Sequence, residues 1–138
     1  MMIFEEALSR LQSSCARKEM CRQDVERWMK KFKVDANDRE KIIDSLLTDK
    51  YIDELRYAKA FANDSLKYNK WGKEKIAYLL HSKNIPSEYI RQAIDELDNE
   101  IYEEIRAGLV ASKEKTLQPD DPQKEQKVKA YLYSKGFV

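Results

Sequence analysis

The residues able to do chemistry in this chain are few, and their spacing favours binding over catalysis. The single histidine, His81, lies near the end of an amphipathic stretch, with no Ser or Cys spaced to serve it as a nucleophile. Carboxylates are plentiful, but they recur as the solvated faces of helices do. Gly72, Gly108 and Gly136 are scattered and form no phosphate-cradling loop. With one histidine and two cysteines, Cys15 and Cys21, a Cys/His zinc site is nearly excluded, and a structural disulfide is not expected. No catalytic residue, metal ligand or cofactor is expected, and the chain is not expected to be an enzyme.

Lysine and arginine carry the stronger signal. Formal net charge is only +1, so composition alone does not announce a nucleic-acid binder. The distribution says more. Lys67, Lys70, Lys73 and Lys75 surround Tyr68 and Trp71 where a loop meets the start of a helix. Such a helix start can hold phosphate through its free N–H groups, with Tyr68 or Trp71 stacking on exposed bases. The plainer alternative is that Trp71 packs under the loop and the lysines keep it solvated. Arg27, Lys30, Lys31 and Lys33 form a second cluster, around Trp28; Lys83 closes the following basic stretch, and Lys124 and Lys127 belong to a third. These twelve positions, Trp71 included, are the candidate binding residues. Glu88 to Glu104 is acidic by contrast, which reads first as a solvated helix face.

The elements that must position these residues are helices. The chain has 138 residues, 42% hydrophobic and 37% charged, with three Gly and three Pro. That is too apolar for disorder and too poor in turn residues for an all-β fold. Apolar stripes at helical spacing run through Phe4, Ala7, Leu8 and Leu11, then Val25, Trp28, Met29 and Phe32, then Ile42, Ile43, Leu46 and Leu47. Asp35 to Asp38 offers N-cap choices, and Ser87 after Pro86 is expected to cap a later helix. The start of the chain shows no apolar leader core, and no apolar run nears 18 residues, so neither secretion nor a membrane span is expected and a cytoplasmic location is the default.

The pattern repeats. A shift of 51 places Val25 on Ile76, Met29 on Leu80, Val34 on Ile85 and Leu46 on Leu97. A further shift of 52 places Ile76 on Val128, Leu80 on Leu132 and Ile85 on Phe137. The expected architecture is all-α, an elongated array of three-helix repeats: residues 1–50, residues 51–98, and an incomplete repeat over 99–138 whose last helix is missing. Val128, Leu132 and Phe137 are then expected to lack their final partner, and 117–123, with Pro119 and Pro122, to be a flexible joint. Equivalent helices in such arrays tend to face one side, so three basic helices would form a stripe.

The run from Tyr51 to Phe61 resembles the signature of the RecX family. Its positions fall here on Tyr51, Ile52, Asp53, Arg56, Tyr57, Ala58 and Phe61, followed by Gly72, Ile76, Leu80, Lys83 and Ile85. Asn84 stands where members of that family commonly have Gly. The resemblance implies a regulator that binds the RecA–DNA filament, lies in its groove and modulates, generally by restraining, RecA's ATP hydrolysis and strand exchange in recombination and repair. It further implies RecA and single-stranded DNA as partners, the latter weakly or only in the filament. A monomer with no membrane partner is expected. Asp53 would cap a helix and Arg56 would pair with a carboxylate, so the motif residues are read as mainly structural. Two other readings compete: a helical-repeat scaffold that contacts protein alone, and a helix-turn-helix factor. The latter would need a recognition helix rich in Asn, Gln and Arg, which 73–82 is not.

Overall fold

A computed structural model describes residues 2–138 and holds eight α-helices among them: α1 (Phe4–Arg17), α2 (Arg22–Lys31), α3 (Ala36–Thr48), α4 (Glu54–Asn69), α5 (Lys73–Ser82), α6 (Ser87–Asp95), α7 (Asn99–Glu114) and α8 (Lys124–Ser134). The fold is all-α, and an isolated bridge between Met2 and Val34 is the one extended pairing among the described residues.

The repeat is visible in how its second helices end. Val34 donates to the Met29 carbonyl (2.9 Å), Ile85 to Leu80 (3.2 Å) and Phe137 to Leu132 (2.9 Å), each closing α2, α5 or α8 in the same manner. This closure needs a left-handed residue just before the donor, and Lys33 (φ 55°), Asn84 (φ 61°) and Gly136 (φ 93°) supply it. Asn84 therefore sits at a true left-handed position, which asparagine tolerates better than most residues.

Helix starts follow the acidic residues. Asp35 accepts from the Asn37 N–H (2.8 Å), Asp53 from Arg56 (2.9 Å) and Asp98 from Ile101 (3.1 Å). Ser87 departs from expectation. It is the first residue of α6, not its cap; Pro86 holds that place at φ −56° and its carbonyl accepts from Ile90.

Two cores result. Ala7, Leu11, Val25, Met29, Ile43 and Leu46 build the first, from α1 to α3. The second runs through all the later helices, with Ala62, Leu66, Ile76, Leu80, Ala93 and Leu132 at its centre. The expectation that the last apolar residues lack a partner is corrected here. Phe137 is buried within the second core, its ring 5.0 Å from that of Tyr102, and Val128 and Leu132 are buried in the same core. The 117–123 segment is tied as well: Asp121 accepts from the Gln123 N–H (2.8 Å) and pairs with Lys127 (2.6 Å).

The seam between the cores is polar. Arg56 pairs with Glu19 (2.7 Å), Lys83 with Asp24 (3.1 Å), the Arg22 N–H donates to Glu54 (3.1 Å) and Gln23 to the Ser82 carbonyl (3.2 Å). Of the buried residues before α3, Cys21 alone joins the second core. Total accessible surface is 9005 Å², against about 7,500 Å² for a compact chain of this mass. The excess fits units joined end to end.

Candidate nucleic-acid interface

On α2 the buried face holds Val25 and Met29, which turns Arg27 and Lys30 outward; Lys31 and Lys33 are exposed too. Trp28 is half-buried against the first core, 4.6 Å from the Phe32 ring, and Lys31 Nζ lies 5.5 Å from that ring. None of these four cations has an ion-pair partner among the described residues.

At the end of α4, Lys67, Tyr68 and the capping Lys70 stand in solvent, with Lys70 in the left-handed region (φ 56°). Lys73 and Lys75 are held down: their ammonium groups sit 4.6 Å from the Tyr102 and Trp71 rings. Trp71 is half-buried against the second core. The helix-start expectation fails at this point. The N–H groups of Gly72, Lys73 and Glu74 already donate to Lys135 O (2.7 Å), Tyr102 Oη (3.0 Å) and Gly136 O (3.1 Å). The end of α8 occupies the place a phosphate would take.

Three other candidates are neutralised by neighbours. Lys124 lies 3.9 Å from Glu114, and Lys127 pairs with Asp121. Lys83 is half-buried, 3.1 Å from Asp24 and 5.7 Å from the Tyr57 ring. Burial alone would lift the Asp24 carboxyl, but hydrogen bonds from Lys83 and the Cys21 N–H hold it below its ordinary value. Burial pushes the Tyr57 hydroxyl up to about 12 and the Cys21 thiol up to about 11. Glu54, accepting from the Arg22 N–H with its other oxygen buried and unpartnered, is also raised, burial outweighing that bond.

The register defined by the three helix ends bears on the idea of a repeated basic stripe. It aligns Arg27, Lys30 and Lys31 with Tyr78, His81 and Ser82, so the candidate cations of α2 lie in its second half and those of α5 at its start, while Lys75 of α5 aligns with Lys127 of α8. The clusters of α2 and α5 do not occupy equivalent positions.

The family-motif residues knit the molecule. Asp53 caps α4; Arg56 also donates to the carbonyls of Lys50 (3.1 Å) and Tyr51 (3.2 Å), across from Glu19. Tyr51 packs on the first core, Ala58 is fully buried, and Tyr57 and Phe61 stack at 6.0 Å. Gly72 approaches the backbone of Gly136 so closely that no side chain fits.

Sequence reasoning missed Arg10 and Arg17. They lie seven apart on one face of α1, a spacing legible in the sequence, and line an open groove with Trp28 and Phe32. A larger groove of about 890 Å³ follows the seam past Arg17, Arg27, Tyr57, Phe61 and Lys83. Among the described residues no cluster of His, Cys, Asp and Glu can hold a metal, and no helix is long and apolar enough to cross a membrane.

Residues 53–94 match the RecX second three-helix domain. The chain is 30% identical over 104 residues to the Regulatory protein RecX of Clostridioides difficile (strain 630), covering 75% of itself and 49% of that relative, so it spans about half of that protein's length. A crystal structure of regulatory protein RecX superposes with a TM-score of 0.87 at 23% identity, over 98% of this chain and 68% of that one. RecX from Lactobacillus salivarius gives 0.84 at 18% identity, over 98% and 88%. In the three-helix unit at 53–94, in the sequence of this relative and in its all-helical repeat fold, the chain is similar to the RecX family of regulatory proteins.

Proposed function

We propose that this protein binds the RecA–DNA filament and restrains RecA's ATP hydrolysis and strand exchange, acting in recombination and repair as a binding regulator and not as an enzyme. Residues 1–50, 51–98 and 99–138 serve as three units along the filament, all within one monomer. The observation that supports this best is a set of exposed cations with no ion-pair partner among the described residues: Arg27, Lys30, Lys31 and Lys33 on the first unit, Lys67 and Lys70 on the second. Unpaired surface cations are free to displace counterions from phosphate at little cost. Near-neutral overall charge limits affinity for naked DNA, so the filament is the target.

The neutralisation of Lys83, Lys124 and Lys127 favours a second reading, a repeat scaffold that touches protein alone. The two separate in a titration of RecA's single-stranded-DNA-dependent ATP hydrolysis, run beside Lys67→Glu/Lys70→Glu. Substoichiometric inhibition that the variant relieves supports filament binding through these cations. Inhibition by both proteins, with no DNA-dependent salt effect, supports the scaffold. No inhibition by either, with the chain folded, refutes the regulator reading.

A further inference from the structure

α1 and α2 leave between them an open groove of about 310 Å³. One wall carries Ser9, Arg10, Ser13 and Arg17 from α1; the other carries Trp28 from α2 and Phe32 just past its end. Among the described residues no carboxylate lines it. The spacing puts guanidinium, hydroxyl and guanidinium in sequence along one helix face, which is a donor row for anionic oxygens. Arg17 has no ion-pair partner among the described residues. Arg10 lies 3.2 Å from Glu6, but both side chains are about half exposed, and such a pair exchanges readily for a phosphate.

The opposite wall is aromatic where a surface helix would ordinarily be polar. Phe32 is 36% exposed and lies beside the Trp28 ring, tilted by 38°. Cations facing a pair of half-open rings match the two parts of a nucleotide, its phosphate and its base. An acidic peptide would use the arginines and leave the rings unsatisfied. The groove also opens onto the larger one along the seam, since Ser14 and Arg17 line both. That larger groove also carries Glu19, Asp24 and Asp64, so the carboxylate-free stretch that suits a phosphate is confined to the α1–α2 groove.

We propose that the α1–α2 groove seats one nucleotide of a single strand, with Arg17 and Arg10 on successive phosphates and a base on the Trp28–Phe32 pair. This rests on the nucleic-acid half of the filament reading and assigns the contact to a surface apart from the α4–α5 loop.

The chain has two tryptophans, so Trp71→Phe leaves Trp28 as the one indole reporter. In that background, with folding verified by thermal melting, an oligo-dT strand is titrated at low salt while Trp28 emission and strand anisotropy are followed together. The expected result is quenching of Trp28 with the same midpoint as the anisotropy change. Arg10→Ala/Arg17→Ala then weakens binding about tenfold and lowers the log–log salt slope by about 1.4, two single-strand phosphate contacts at about 0.7 each. Binding with an unmoved Trp28 signal and an unchanged slope overturns the seat and leaves the filament reading standing. Equal quenching by poly-aspartate overturns the base-stacking assignment in favour of an acidic peptide. Absence of strand binding overturns the seat as well; the RecA ATPase assay on the same proteins then decides separately whether the filament reading survives.

Discussion

Gly72 and Gly136 meet backbone to backbone: the Gly136 carbonyl fills the space in which a side chain on Gly72 would stand, and the Gly72 N–H donates to Lys135 next to it. Two parts of the chain more than sixty residues apart thus touch without any side chain between them. Gly72→Ala is expected to cost about 1–3 kcal/mol through overpacking. A methyl group on Gly108, in α7, would meet nothing within 4 Å, so Gly108→Ala is expected to stabilise by about 0.5–1 kcal/mol. Urea midpoints of the two variants moving in opposite directions is the expected result; equal shifts would contradict the close approach.

Asp24 and Lys83 make the polar seam pH-dependent. The Asp24 carboxyl is depressed below its ordinary 3.8, so it contributes stability above its unfolded value that is lost as pH falls through the folded one. Asp24→Asn is expected to cost about 1–2 kcal/mol at pH 7. The difference from wild type should close in acid, once the pH has fallen through the depressed folded value and both chains lack the charge. Chemical denaturation at the two pH values measures it, and a penalty that persists in acid would assign the effect to packing.

Lys33 and Asn84 hold left-handed conformations that glycine adopts freely. Lys33→Gly is expected to stabilise by about 1 kcal/mol, and Asn84→Gly by less, since asparagine already tolerates the region. A loss of urea midpoint at Lys33 would show that its side chain contributes contacts worth more than the strain.

Cations that are free and cations that are paired should separate in a DNA salt titration. Lys67→Ala and Lys70→Ala are each expected to lower the single-strand salt slope by about 0.7. Lys83→Met is expected to leave the slope alone and lower the urea midpoint, because Lys83 is engaged with Asp24 and Tyr57. A lower slope for Lys83→Met would return it to the binding surface.

The helices and the repeat were legible in the sequence because apolar residues recur at helical spacing and the same spacing returns after 51 and 52 positions, with Lys33, Asn84 and Gly136 marking equivalent ends. Asp53 was readable as a cap because a cap is local. What lay beyond reach was pairing between units. Nothing near Gly72 in the chain announces that Tyr102 and Gly136 will use the free N–H groups of α5, nor that Lys83 will turn inward to Asp24, 59 residues away. Charge runs look alike whether their members face solvent or a distant carboxylate. For the same reason the charge runs did not separate the paired cations Lys83, Lys124 and Lys127 from the free ones, nor mark Arg10 and Arg17 on α1, which become neighbours only once wound into a helix.

The polar joint between the first core and the second has a consequence for how the molecule melts. With Cys21 the sole buried apolar residue among those described that crosses from one to the other, cooperativity is carried weakly across the joint, and heating should release the α1–α3 body in a step of its own. A strand or protein surface that grips both sides would fuse the two steps into one, since its binding free energy is forfeited by the loss of either body. Occupancy of the seam could then be read from the shape of a calorimetric trace, without any label on the partner.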